Sequence, residues 1–423
     1  MKKSKINIVL FLIIVSLLTF TSDFFIAYRP FITVFSILIL IIIFLKEHGL
    51  VFNNFKKVPK EISIFILVLF ITLFTSSVFS YYPIISFWAT IRTLVFLIIV
   101  YIFYSFLADE ENIFYYIFSL ITIQLIHGIR MFIDLYNLGF QDFFKKILLS
   151  NVINLTSSLG YTGMTVFFIS IALITSMLFM IKFKSPVWKI ILSLLLFISI
   201  IIIILSNSRG GILAALISIL FILWKLNKSL LLKTFTIATI IIFFLFISFP
   251  TLAELVNIYL RWETVSDREV YWTMGLEVIK DHPLFGLGAD LFDKFFFNYA
   301  PSSTLSLFNS NIIQLGKPHP HNFFLYFTAE NGILGLVTAI LFFVTFFKIA
   351  FRTMKITKND YDYYVLTVAI TGIGLAIFLR SFIEVAGYLL YGYITRDLPF
   401  WLLFSILIYI YQKFNRNLMT QKV

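Results

Sequence analysis

Residues 188–224 read WKIILSLLLFISIIIIILSNSRGGILAALISILFILW. The run from Ile190 to Leu205 carries no charge and has no polar face to offer water. A helix apolar all round is buried in a large core or in a bilayer. SNSRGG, Ser206–Gly211, then turns the chain, and a second apolar run begins at once. The two glycines allow a tight turn and close backbone approach, which leaves Arg209 at the membrane surface. The bland alternative is a plain helix-helix turn with one arginine at head-group level.

The rest of the chain repeats this pattern. Of 423 residues, 60% are hydrophobic and 13% are charged, and 53 are phenylalanine. A soluble domain cannot hide that much apolar surface, whereas about a dozen spans of about 20 residues would use it. A soluble enzyme, a nucleic-acid-binding domain and a disordered chain are excluded. With no cysteine, neither a disulfide nor a thiolate site is available. The expected architecture is an all-α polytopic membrane protein. Its spans fall near residues 6–22, 28–45, 62–79, 85–107, 113–133, 157–181, 188–205, 211–224, 232–249, 321–345, 363–383 and 398–411, with edges set to within a few positions. The N-terminal run after MKKSKIN has no small-residue cleavage pattern behind it and reads as a retained first span. One membrane domain, 1–423, is expected, with a long external loop at 250–320 between spans nine and ten.

The net charge of +12, from 33 basic and 21 acidic residues, tests the orientation. With the N-terminus inside, the inner segments collect Lys2, Lys3 and Lys5, Lys46 to Lys60, Lys182 to Lys189, Lys225 to Lys233, Lys348 to Lys358 and Lys413 to Lys422, as basic loops on the cytoplasmic side should. The inner loop Ala108 to Asn112 is acidic and gives no support. Both termini are expected in the cytoplasm. Of the 23 lysines, 18 fit this scheme, but of the 10 arginines only Arg352 and Arg416 do. Arg29, Arg92, Arg130, Arg209, Arg261, Arg268, Arg380 and Arg396 lie outside or within the membrane. Guanidinium groups bind phosphate bidentately and keep their charge when partly buried, and intramembrane charges face a cavity or a partner. Arg92, Arg130, Arg380 and Arg209 therefore suggest an anion site at the outer interface. Against this, Arg380 has Glu384 at i+4, a plain helical ion pair, and Arg396 adjoins Asp397.

In the external loop, SDREVYWTMGLEVIKDHP (Ser266–Pro283) has capping-box spacing at Ser266 and Glu269. Its apolar face comprises Val270, Tyr271, Met274, Val278 and Ile279. This predicts an amphipathic helix with Arg268 in its first turn, ended by Pro283 and followed by the glycine turn LFGLG. That Gly-x-Gly follows no strand and is no dinucleotide signal. Asp290 and Asp293 are spaced to share a helix face, as a solvated surface or, less readily, as a metal site. The loop closes on HPHNFFLYFTAENGILGL, His319–Leu336. A histidine at the boundary can take a proton from a hydroxyl nucleophile, or His319 or His321 can cap the next helix.

Three ordered blocks, SNSRGG, Arg268-x-x-x-Trp272 with HPLFGLG (His282–Gly288), and HNFFLYFTAENGILG, together resemble the O-antigen ligase and Wzy-type polymerase superfamily of bacterial inner-membrane glycosyltransferases. The motif region spans 206–345. The resemblance implies a glycosyltransferase C-like helical fold and transfer of glycan from undecaprenyl diphosphate on the periplasmic or outer face, without metal, nucleotide sugar or other cofactor. It implies essential roles for Arg209, Arg268 and His321, with His319 as rival base. Diphosphate binding falls to Arg209 and Arg268, with Arg92, Arg130 and Arg380 contributing. The acceptor stays open among a lipid A-core, another lipid-linked glycan and a protein. A multi-span transporter or lipid-linked glycan flippase is the alternative; the visible lack of an internal repeat speaks against it.

Overall fold

The computed structural model describes residues 3–19, 29–48, 58–107, 111–138, 156–206, 208–248, 266–299, 319–385 and 387–420, and among them there is no strand. Among the described residues, nine α-helices precede the long loop: α1 Lys3–Thr19, α2 Arg29–His48, α3 Lys60–Val78, α4 Pro83–Phe106, α5 Glu111–Leu138, α6 Thr156–Phe179, α7 Pro186–Leu205, α8 Arg209–Leu226 and α9 Lys228–Ser248. Two lie within it, α10 Ser266–Asp281 and α11 Phe292–Tyr299; three follow, α12 Phe323–Ile356, α13 Tyr361–Arg380 and α14 Ile394–Thr420. Each apolar stretch read from the sequence falls on one of α1–α9 or α12–α14. Eight helices are long and apolar enough to cross a membrane, and α1 and α6 contain shorter apolar runs. The side chains exposed on α9, including Leu232, Phe235, Ile237, Ile240 and Phe243, form a surface that only lipid or protein can cover without large cost.

α5, α12 and α14 run well past their apolar stretches, and charge explains the first two. α12 continues past residue 345 to Ile356 because its basic end is paired: Lys348 Nζ and Arg352 Nη1 lie 3.0 and 2.7 Å from Glu61 Oε1 on α3. α5 runs on to Leu138, with Arg130 Nε 3.9 Å from Asp134 Oδ2 one turn later.

The interior is packed with aromatic rings and small residues. Phe342 on α12 meets Phe65, Phe400 and Trp401 at centroid distances of 5.5, 5.7 and 5.9 Å. α13 lies close against α8, and a Cβ at Gly372 would come within 3.2 Å of the Ser218 carbonyl oxygen and of Phe221. Hydroxyls satisfy one another between helices, as Thr72 does with Thr338 at 2.7 Å. Buried polar groups paired in this way cost little.

α12 breaks at Gly332 (φ 64°, ψ −157°), a backbone region that favours glycine. The turn after α10 fills the break. The N–H groups of Leu287 and Gly288 donate to the carbonyls of Ala329 and Glu330 at 3.1 and 2.9 Å, and that of Ile333 donates to Pro283 at 2.9 Å. A Cβ at Gly332 would sit 2.1 Å from the Leu284 carbonyl oxygen, and one at Gly286 2.3 Å from the Glu330 carbonyl carbon. The glycines of HPLFGLG and ENGILG therefore dock two backbones together, and this fixes the turn after α10 against the break in α12.

Candidate active site

α10 forms over the predicted segment. Its apolar face packs down, with Met274 and Val278 buried and Val270, Tyr271 and Ile279 partly so. Gly275 lies against Leu325 of α12. The Ser266 side chain lies outside the described residues, so the capping contact is not assessed. Tyr271, one turn after Arg268, places its ring 5.5 Å from that of His321. The two motif blocks meet here.

Neither histidine caps α12. Asn322 does, its Oδ1 accepting from Leu325 N at 3.0 Å. His321 is free for other work and takes a positive φ of 48°, a conformation uncommon outside glycine and found at functional sites. Its Nδ1 lies 3.6 Å from Glu384 Oε2. His321 N donates to His319 Nδ1 at 3.3 Å, and the two rings are 4.2 Å apart.

Glu384 corrects the sequence reading of Arg380. α13 ends at Arg380, and Ser381 caps it with its N–H on the Ile377 and Phe378 carbonyls. The helix that an i+4 pair requires does not continue to Glu384. The carboxylate instead turns to His321, while Arg380 Nη1 donates to Thr165 Oγ1 at 3.2 Å. Burial would raise the Glu384 pKa, but His321, His319 and Arg380 around it hold the carboxyl well below the usual carboxylate range. Burial, with the charges of His321 and Arg396, pushes His319 down to about 3 against the pull of Glu384. At neutral pH His319 is uncharged and a weak base.

SNSRGG folds as the expected turn. Ser208 caps α8, its Oγ accepting from Gly211 N at 3.3 Å, and the exposed Arg209 opens the helix. A cation at a helix N-terminus sits against the positive end of the dipole, an arrangement that an anion relieves. Gly210 lies against Arg380: a Cβ there would be 3.8 Å from its Nε. The start of α8, the end of α13 with Glu384, the start of α12 and α10 thus meet here, through Gly210 against Arg380, Glu384 beside His321 and Tyr271 against His321.

The other two arginines are engaged elsewhere. Arg130 pairs with Asp134 on its own helix, as above. Arg92 Nη2 donates to Asp290 Oδ2 at 2.8 Å, its Nε donates to the Tyr391 carbonyl at 2.6 Å, and its guanidinium lies 3.9 Å over the Tyr393 ring. Asp290 is a second correction. It precedes α11 with φ 60° and does not share a helix face with Asp293. Nor is it a solvated surface group: its side chain is 12% exposed. Tyr393 donates to it at 3.1 Å, and its own N–H donates to Glu330 Oε2 at 2.9 Å.

Asp290, Asp293, Tyr326, Tyr393 and Arg396 wall a cavity of about 170 Å³ that His319 also lines. Arg396 thereby gains a place that its adjacency to Asp397 concealed; Asp397 accepts from Leu390 N at 2.6 Å. One set of donors suits a cation, since ligand atoms of His319, His321 and Glu384 lie within 4.8 Å of one another, two imidazoles and a carboxylate being common ligands.

Sequence reasoning assigned Glu384, Asp290 and Arg396 other roles, and Tyr393 carried no signal. An acidic residue at the end of an apolar span was the available signal for Glu384. The others lie in segments whose path no periodicity reveals.

Comparison with curated proteins finds no match. Residues 194–340 match the family model described as O-antigen ligase, about a third of the chain. That segment holds Arg209, Arg268, His319 and His321 and runs from within α7 through the kink of α12. Through this segment the chain is similar to the O-antigen ligases, the likeness that the three sequence blocks carry.

Proposed function

We propose that the protein is a glycosyltransferase of surface polysaccharide assembly, an O-antigen ligase or a polymerase of related type, in the bacterial inner membrane. It takes a glycan from undecaprenyl diphosphate and transfers it to an acceptor hydroxyl. The chain crosses twelve times with both termini inside, and the site faces the periplasm or exterior, where the long loop covers it. The observation that carries this reading is the His321–Glu384 pair, 3.6 Å apart, with Arg380 beside the carboxylate and the family segment supplying Arg209 and Arg268.

The acceptor oxygen attacks the anomeric carbon, the bond from that carbon to phosphate breaks, and lipid diphosphate leaves with the electron pair. His321 takes the acceptor proton as general base, oriented by Glu384, while His319 fixes the His321 backbone. Arg209, Arg268 and Arg380 stabilise the charge building on the diphosphate, where partial exclusion of water strengthens each guanidinium. No metal is needed, because fixed cations do that work. Arg92 and Arg130, each held by a carboxylate, serve the framework.

The test is a deletion strain complemented with Arg209→Ala or His321→Ala. Variants that insert normally yet restore surface glycan refute the reading. The carrier lipids of the deletion strain identify the acceptor class: full-length chains indicate a ligase and single repeat units a polymerase. Build-up on the inner leaflet alone indicates a flippase and overturns the proposal.

A further inference from the structure

The cavity beside His319 has chemistry unlike that of the arginine cluster. None of Arg209, Arg268 and Arg380 lines it, whereas two carboxylates and two tyrosines do. Its charges balance: Asp290 is neutralised by Arg92 at 2.8 Å, and Asp293 shares the wall with Arg396. Such a wall has no surplus positive charge with which to hold a diphosphate. Carboxylates accept hydrogen bonds from hydroxyls, and tyrosine rings present apolar faces to the C–H side of a sugar. The wall is also fixed in advance. Asp290 is held by Arg92 and Tyr393, its backbone N–H by Glu330 at 2.9 Å, and Glu330 Oε1 is occupied by Phe292 N at 2.8 Å. Preorganisation of this kind lowers the ordering cost of binding. The volume, about 170 Å³, is on the scale of a single sugar ring.

We propose that this cavity seats one neutral sugar ring of the acceptor, Asp293 and Tyr393 binding its hydroxyls, so that an adjoining hydroxyl meets the histidine pair. This rests on the transferase reading and adds to it where the acceptor lies. The diphosphate and the acceptor then occupy different walls: arginines from α8, α10 and α13 for the first, and the segments around α11 and the start of α14 for the second.

The test uses the full chain in lipid nanodiscs and a panel of methyl glycosides, neutral, N-acetylated and uronic, with binding read by saturation-transfer NMR. Neutral or N-acetylated glycosides should bind at millimolar concentration. Asp293→Asn should weaken them about tenfold and Tyr393→Phe severalfold, as expected for one lost hydrogen bond to a charged and one to a neutral group. Both substitutions are near-isosteric; elution volume should match the wild type, and the thermal midpoint should fall only slightly and only in Tyr393→Phe, which also gives up the hydrogen bond to Asp290. In a transfer assay with lipid-linked donor, the acceptor KM should rise by the same factors while the donor KM stays within twofold. Glycoside binding that both variants leave unchanged overturns the proposal, as does a rise confined to the donor KM, or selective binding of inorganic phosphate. Glycoside binding that Asp293→Asn weakens in a wild-type protein that transfers nothing keeps the subsite and sinks the transferase reading. Active transfer with an unaltered acceptor KM in both variants does the reverse.

Discussion

Replacing Glu384 with Gln removes a charge while keeping the side chain's shape and its hydrogen bond from Val385 N. Two unit charges 3.6 Å apart, the His321–Glu384 separation, attract by about 5 kcal/mol at an effective dielectric of about 20. Part of this is offset by desolvation of the carboxylate and part by solvent reaching His321, whose side chain is 23% exposed. About 2–3 kcal/mol remains to favour an imidazolium formed in the transition state, which corresponds to a roughly 30- to 100-fold loss of rate. The assay is transfer from lipid-linked donor in nanodiscs at saturating donor. The donor KM should change less than the rate, because Arg380, beside the carboxylate, is only one of the three arginines assigned to the diphosphate in this scheme. A Gln variant within threefold of the wild-type rate, or a loss confined to the donor KM, refutes the assignment of Glu384 as the partner of the base.

Three further outcomes follow from the same geometry. Arg92→Ala leaves Asp290 mostly buried and without its cation, at a cost of about 2–3 kcal/mol given that Arg92 is a third exposed; adding Asp290→Asn should recover most of the thermal midpoint, and failure to recover denies the pairing. Gly332→Ala forces a methyl to 2.1 Å from the Leu284 carbonyl at φ 64°, so it should cost about 3 kcal/mol or more and loosen the segment docked there, measured by proteolysis within 266–299. Treatment with EDTA should leave the transfer rate within twofold of the control; a loss reversed by Zn²⁺ would reassign His319, His321 and Glu384 as metal ligands.

Much of the architecture was legible in order along the chain. A helix in a bilayer satisfies its own backbone, so a run of apolar residues bounded by charges is already an element, and neighbours change only its ends. Even α10, in the hydrophilic segment, announced its buried face through Val270, Met274 and Val278. The ends were misjudged where a distant partner decided them, as Glu61 did for Lys348 and Arg352 on α12. The site was legible in its motif residues but not in their partners. Arg380 and Glu384 at i+4 looked like a pair because the sequence does not say that α13 stops between them. Asp290 and Asp293 looked like one helix face for the same reason.

The sequence by itself determined that this chain is a bundle of apolar helices and that its lysines and arginines are distributed differently along it. Those facts rest on composition and local spacing, which the chain carries residue by residue. Only the tertiary structure decided which carboxylate serves His321, that Arg92 is spoken for by Asp290, and that an acidic, aromatic cavity adjoins the histidine pair. Each of these depends on contacts between residues tens to hundreds of positions apart, formed where turns such as 381–393 and 282–291 fold back on the helices, and no periodicity records the path of a turn.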